Sequence, residues 1–143
     1  MSMRVLIFDD DLVRMPSFLA EPGAGASLHY RAHADDAEAD VSALQPHLVL
    51  MDYSMGAARS GVQAVAALRA RWSATELPIW GISSDDRANR FMILAGANGA
   101  VTKMALPDLL PRLLADFAPS PPSSVAAPRS TPADRQLGPR DDG

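Results

Sequence analysis

The sequence has 143 residues, of which 48% are hydrophobic, and this is enough to fill the core of one domain of ordinary size. The formal net charge of −4 gives no basic surface for nucleic acid, and the absence of cysteine excludes disulfides and thiolate metal sites. No apolar run approaches the roughly 18 residues of a membrane span. We therefore expect a cytoplasmic protein that neither inserts into a membrane nor binds nucleic acid directly.

The composition changes near residue 118. From there to residue 143 the chain is rich in proline, serine, alanine and glycine and carries few large apolar side chains. Such a segment cannot bury enough apolar surface to offset the entropy lost on ordering. The sequence therefore predicts a folded domain over 1–117 and a disordered tail over 118–143, with no attached output domain.

Within the folded part, apolar runs alternate with segments of helical spacing. The predicted strands are 4–8, 27–33, 47–52, 77–84 and 99–103. The predicted helices lie within 11–21, 35–45, 61–72, 85–96 and 107–117. Pro16 cannot continue a regular helix through 11–21, so we expect that helix to begin near Pro16 or to kink there. Five strands that alternate with helices predict a parallel sheet with helices on both faces.

Polar residues lie at or just beyond the ends of four of the predicted strands. In chain order they are Asp9, Asp10 and Asp11, then Asp52, then Ser83 and Ser84, then Lys103. Ligands of such sheets bind beyond the carboxyl ends of the strands, so these side chains are expected to meet at one edge. Lys103 is the only lysine in the sequence, and a compact ammonium group facing several carboxylates is a specific arrangement.

Four motifs carry a resemblance to a known family. They are "FDDD" after the first strand, "LVLMDYSM" at the third, "LPIWGISS" at the fourth and "GANGAVTK" at the fifth. In this order they resemble the response-regulator receiver domain of two-component signalling, in its single-domain, chemotaxis-regulator-like form, over residues 4–117. The resemblance implies a flavodoxin-like (βα)5 fold, doubly wound, with five parallel strands in the order 2-1-3-4-5.

The resemblance also implies a magnesium site. Asp10 would be a direct ligand of Mg²⁺ (or Mn²⁺), and Asp9 would act through water. Asp52 and the backbone carbonyl of Ser54 would supply further oxygens. Hard carboxylate and carbonyl oxygens are the ligands that Mg²⁺ prefers, and the ion commonly bridges to phosphate oxygens.

The remaining implied roles concern a phosphoryl group. Asp52 would accept it from a histidine kinase or a histidine phosphotransfer protein, Ser83 would bond it through its hydroxyl, and Lys103 would pair with one of its oxygens. A carboxylate can act as such a nucleophile, while a cation neutralises the developing charge. The protein would catalyse only its own phosphorylation and dephosphorylation, and would signal to an unknown downstream protein by binding or by onward transfer. Asp11 has no role in this scheme, and we expect it to accept N–H groups at a helix N-terminus.

Several residues depart from the family pattern. Met104 stands where the family lysine is usually followed by proline in a cis peptide, Ala100 stands where an aromatic usually lies, and Gly56 replaces a frequent proline. Since Ala100 has no rotamer to swing, we expect activation to change mainly the loops 54–61 and 84–88. The sequence leaves open whether the Lys103–Met104 peptide is cis or trans.

Two other interpretations remain. Haloacid-dehalogenase-like phosphatases also begin with an apolar strand and D-x-D, in which Asp9 would be the nucleophile and Asp11 the general acid. Their late acidic pair follows the lysine, however, whereas Asp85 and Asp86 precede Lys103 here. The second alternative is a pseudo-receiver, an interaction module of the same fold that is not phosphorylated. Such modules usually lose acidic or lysine positions, and none is lost in this chain.

Overall fold

The protein is described by a computed structural model that covers residues 3–19 and 25–119. Five strands form one sheet in the order β2-β1-β3-β4-β5, and every neighbouring pair is parallel. The strands are β1 (Met3–Phe8), β2 (Ala26–Arg31), β3 (Leu48–Met51), β4 (Ile79–Gly81) and β5 (Gly99–Ala100). This order and the parallel pairing confirm the predicted fold class.

Helices cover both faces of the sheet. They are α1 (Asp10–Arg14), α2 (Ala37–Leu44), α3 (Gly61–Arg69), α4 (Asp86–Ala95) and α5 (Leu106–Phe117). Successive side chains of a strand point to opposite faces. Leu6 and Phe8 of β1 accordingly pack in one core with α2, α3 and α4, whereas Val5 and Ile7 pack in a second core with α1 and α5. The central strands are therefore apolar throughout because both of their faces are buried.

The first helix differs from the prediction. It begins at Asp10 and ends at Arg14, and a separate 3₁₀ turn follows over Pro16–Phe18. The prediction that the helix begins near Pro16 or kinks there is therefore wrong. Proline disfavours helical dihedral angles at the residue before it, and Met15 lies outside the helical region with φ −132° and ψ 62°.

The last two strands are shorter than predicted. Only Ile79–Gly81 of β4 and Gly99–Ala100 of β5 lie in the ladder, although Val101 still donates its N–H to the carbonyl of Gly81 at 2.9 Å. Lys103 begins a 3₁₀ turn that leads into α5. None of the described peptide bonds is cis, so the Lys103–Met104 peptide is trans.

The last helix spans Leu106–Phe117 and contains Pro111 in its interior. Its Leu106, Leu110 and Leu113 are buried against the sheet, so packing maintains the helix despite the missing N–H of the proline. The domain boundary predicted at residue 117 stays a prediction, since residues 120–143 of the expected tail lie outside the described ones. Along the described ranges, no helix is long and apolar enough to cross a membrane.

Candidate phosphoryl and metal site

The site lies at the carboxyl edge of the sheet, where β1 and β3 end side by side. Beyond the last paired residues, the N–H of Asp52 donates to the carbonyl of Phe8 at 2.9 Å. This bond continues the parallel ladder and brings Asp52, after β3, next to Asp9, after β1. Both side chains are buried, with relative exposures of 0% for Asp9 and 6% for Asp52.

Asp9 is the N-cap of α1. Its Oδ1 accepts hydrogen bonds from the N–H groups of Asp11 at 2.8 Å and Leu12 at 3.1 Å. The predicted position of Asp11 at a helix N-terminus is confirmed, since it lies in the first turn of α1. The prediction that Asp11 accepts the N–H groups is wrong, because the cap precedes the first helical residue, Asp10, and is therefore Asp9. Asp11 lies within the first turn, exposed, with its Oδ1 3.6 Å from the guanidinium of Arg14.

Lys103 reaches into the same cluster from the turn before α5. Its Nζ lies 2.8 Å from Asp9 Oδ2, 3.4 Å from Asp52 Oδ2 and 3.5 Å from Asp11 Oδ2. Burial alone would lower the pKa of Lys103, but the contact with Asp9 and the negative charges of Asp52 and Asp9 outweigh it and raise the pKa. The ammonium group is therefore held in its charged form among the carboxylates that the sequence predicted it to meet.

The carboxylate of Asp52 is disfavoured as an anion. Desolvation by burial, followed by the negative charge of Asp9, raises the pKa of Asp52 above its usual value. The charge of Lys103 and the hydrogen bond that Oδ1 accepts from the Tyr53 N–H at 2.8 Å oppose this rise without cancelling it. A carboxylate whose pKa is raised by burial and by a neighbouring negative charge is a more basic oxygen nucleophile than one in water.

The carboxylates of Asp9, Asp10 and Asp52 could hold a metal ion. Each offers one oxygen, and the three oxygens lie within 4.8 Å of one another. Asp9 Oδ2 is buried, and its contact among the described residues is the 2.8 Å ion pair with Lys103. The set has more buried negative charge than Lys103 can neutralise and consists of hard oxygens, so it fits Mg²⁺ or Mn²⁺.

Two predicted site residues lie on the neighbouring loops. Ser83 is buried just beyond β4, and its Oγ accepts a hydrogen bond from the Asp85 N–H at 3.1 Å. The bond from the Ile82 N–H to the Met51 carbonyl, at 3.0 Å, keeps this strand end beside that of β3. Ser54 is exposed in the loop that follows Asp52, and the role of its carbonyl as a metal ligand stays a prediction.

Two residues that shape the site were missed. A Cβ on Gly61 would overlap the carbonyl oxygen of Asp52, so only glycine lets the start of α3 pack against the end of β3. Asn89 of α4 is buried and bonds the main chain of Ser83. A signal was present for Asn89, because it stands three residues before Met92, on the buried side of a helix.

Comparison with known proteins concerns the fold. No family model matches the sequence, and no curated protein matches it. Among solved structures, the chain resembles a protein described as a two-component system response regulator/GGDEF domain protein, at 27% identity and a TM-score of 0.68 over 81% of this chain. The chain spans about half (49%) of that protein's length.

Two further solved structures match over almost their whole length. A response regulator from Chloroflexus aurantiacus is 24% identical with a TM-score of 0.66, and the match covers 83% of this chain and 100% of that one. The receiver domain of a sensor histidine kinase from Pseudomonas aeruginosa, with magnesium coordinated in its active site cleft, is 20% identical with a TM-score of 0.66 over 82% of this chain and 98% of that one. The resemblance inferred from the sequence is confirmed, and the chain has the fold of a response-regulator receiver domain.

Proposed function

We propose that this chain is a phospho-accepting response regulator of a two-component system or phosphorelay. The observation that carries the proposal is the position of Asp52, whose buried carboxylate ends the central strand β3 with its Oδ2 3.4 Å from Lys103 Nζ. A nucleophile and the cation that would neutralise an incoming phosphoryl group therefore lie together. The same-fold proteins named above are response regulators and a kinase receiver domain, which supports this assignment.

In the proposed reaction, a carboxylate oxygen of Asp52 attacks the phosphorus of a phosphohistidine on a histidine kinase or phosphotransfer protein. The bond from phosphorus to the donor nitrogen breaks, and an acyl phosphate forms on Asp52. Lys103 pairs with a phosphoryl oxygen, and the Ser83 hydroxyl donates to another. Asp9, Asp10, Asp52 and the Ser54 carbonyl would hold Mg²⁺ or Mn²⁺, which when bound neutralises charge on the transferring group.

The protein would catalyse no reaction other than its own phosphorylation and dephosphorylation. It would signal to a downstream protein by binding or by passing the phosphoryl group onward, without direct binding to nucleic acid. A cytoplasmic location stays a prediction. The capping role of Asp9, whose Oδ1 accepts two N–H groups of α1, and its 2.8 Å ion pair with Lys103 argue against the phosphatase alternative, in which Asp9 would be the nucleophile.

Acetyl phosphate with Mg²⁺ tests the proposal against the pseudo-receiver alternative. Mass spectrometry of the intact chain should show the gain of one phosphoryl group, and Asp52→Asn should abolish the gain. Asp116→Asn, which changes an exposed acid on α5, is the matched control and should be labelled like the unsubstituted chain. An unlabelled wild-type chain, or equal labelling of Asp52→Asn, would contradict the proposal.

A further inference from the structure

Four polar side chains are buried among the described residues, and one of them has no place in the scheme above. Asp9, Asp52 and Ser83 belong to the candidate site, whereas the fourth, Asn89, lies on the inner side of α4 with 6% relative exposure. A buried amide is costly unless all of its hydrogen-bonding groups are paired. The partners of Asn89 therefore indicate what it does.

The partners of the Asn89 amide are main-chain groups of two strand ends. Its Oδ1 accepts from the N–H of Ser83 at 3.0 Å, and its Nδ2 donates to the carbonyls of Ser83 at 3.0 Å and Val101 at 3.3 Å. One N–H and two carbonyls permit only this orientation of the amide. A single side chain thus holds both main-chain polar groups of Ser83 and ties them to the segment after β5.

The surrounding residues leave room for this amide. A Cβ on Gly81 would lie 3.1 Å from Asn89 Oδ1 and 3.5 Å from the Cβ of Ala100. A side chain at Gly81 would compete for this space with the amide and with the Met92 side chain, whose Cε would lie 2.9 Å from the added Cβ. The glycine at position 81 therefore belongs to the same arrangement as Asn89.

Among the described residues, the hydroxyl of Ser83 accepts one hydrogen bond and donates none. Its Oγ accepts from the Asp85 N–H at 3.1 Å, and Asp85 in turn caps α4 by accepting from the Arg87 N–H at 2.9 Å. With the main chain held by Asn89 and Oγ held by Asp85, the hydroxyl hydrogen has a defined range of directions. A preorganised donor stabilises charge that develops during a reaction without first having to reorganise.

We propose that Asn89 is a positioning residue, which holds Ser83 so that its hydroxyl meets the phosphoryl group on Asp52. This inference rests on the proposed function, because it assigns Asn89 to the same reaction. It differs from a purely structural role in one respect. The effect of Asn89 on phosphorylation passes through the Ser83 hydroxyl and disappears when that hydroxyl is removed.

A double-mutant cycle tests this difference. The rate of phosphoryl gain from acetyl phosphate with Mg²⁺ is measured for the unsubstituted chain, Asn89→Ala, Ser83→Ala and the double variant. Ser83→Ala keeps the main-chain groups that Asn89 binds, so only the hydroxyl is lost. We expect Asn89→Ala to slow the gain by about fivefold, which corresponds to ~1 kcal/mol, and the double variant to be no slower than Ser83→Ala.

Two further variants keep the test decisive. Asn89→Leu removes the same three bonds without opening a cavity, and it replaces Asn89→Ala if that chain does not fold. Arg90→Ala, at an exposed position on the same helix, should leave the rate unchanged. Equal slowing by the Asn89 variant with and without the Ser83 hydroxyl, or no slowing at all, would overturn this inference alone. Absence of phosphoryl gain in the unsubstituted chain would overturn the proposed function and this inference with it.

Discussion

The edge of the sheet that carries the candidate site has two halves of different chemistry. Around β1 and β3 the buried groups are charged, and the carboxylates of Asp9 and Asp52 share the one ammonium group of Lys103. Around β4 and β5 the buried groups are neutral, and the hydroxyl of Ser83 and the amide of Asn89 are paired with main-chain atoms. In the proposed reaction the charged half would supply the nucleophile and the cation, whereas the neutral half would position the Ser83 hydroxyl.

The largest expected effect is on the free energy of unfolding, when the cation is removed from the charged half. Lys103→Met leaves the fully buried Asp9 without its ion-pair partner, and breaking a buried pair on one side costs about 3 kcal/mol. Urea denaturation in EDTA should show this loss in the free energy of unfolding. Arg14→Met is the control, because its pair with Asp11 is exposed and is worth less than about 0.5 kcal/mol. Similar losses in the free energy of unfolding for both variants would show that the pair of Lys103 with Asp9 contributes no more than an exposed ion pair.

The next effect concerns metal binding by the same half. Asp10→Asn should weaken Mg²⁺ binding by at least about tenfold, because Asp10 is proposed as a direct ligand. Asp11→Asn should weaken it much less, since Asp11 is outside the set of three carboxylates that could share an ion. Titration of both variants with Mg²⁺, followed by NMR or tryptophan fluorescence, measures the difference. Equal losses would remove the distinction between the two acids.

A smaller effect comes from the ionisation of Asp52. Since the folded chain raises the pKa of Asp52 above its unfolded value, ionisation of this group destabilises the fold as the pH rises through that interval. Asp52→Asn should therefore stabilise the metal-free chain at neutral pH. The gain should vanish at pH values below the usual pKa of aspartate, where both chains are uncharged at this position. Urea titrations in EDTA from acidic to neutral pH measure it, with Asp116→Asn as the control that should show no such gain.

The smallest expected effect is a difference in how strongly the loops 54–61 and 84–88, compared with β5, respond to a phosphoryl group on Asp52. Beryllofluoride with Mg²⁺, which imitates a phosphoryl group, should shift the amide resonances of 54–61 and 84–88 more than those of 99–107. Ala100 has no rotamer to change, and β5 contributes only two residues to the ladder. Large shifts centred on 99–107, with 54–61 unmoved, would show that the neutral half responds in another way.

The fold and the cluster of Asp9, Asp52 and Lys103 could be predicted because they depend on local patterns. Strands that are buried on both faces appear in the sequence as apolar runs, so they could be recognised. Parallel strands bring their carboxyl ends to one edge of the sheet, so Asp9, Asp52 and Lys103 were expected to meet there. The identity of the residue that caps α1 was not predicted, because it depends on exact geometry. Three adjacent acids do not reveal which one caps the helix, because this depends on where β1 ends and on the direction in which α1 leaves it.

The positioning residues were harder to predict for a different reason. An asparagine within a helix carries no charge and no motif, and its importance lies in main-chain partners that are close only in the folded chain. Asn89 is six residues from Ser83 and twelve from Val101, and no sequence pattern pairs a side chain with those groups. Gly61 is similar, since its requirement for glycine arises from the nearby carbonyl of Asp52.

Borohydride reduction of the chain after treatment with acetyl phosphate and Mg²⁺ tests the central claim most directly. The reagent reduces an aspartyl acyl phosphate to homoserine and leaves a serine phosphate ester intact, so peptide mass spectrometry identifies the acceptor residue. If Asp52 is the phospho-acceptor, homoserine should form at Asp52 and at no other aspartate, and its formation should depend on Mg²⁺. Homoserine at Asp9, or phosphate that remains on Ser83, would contradict it.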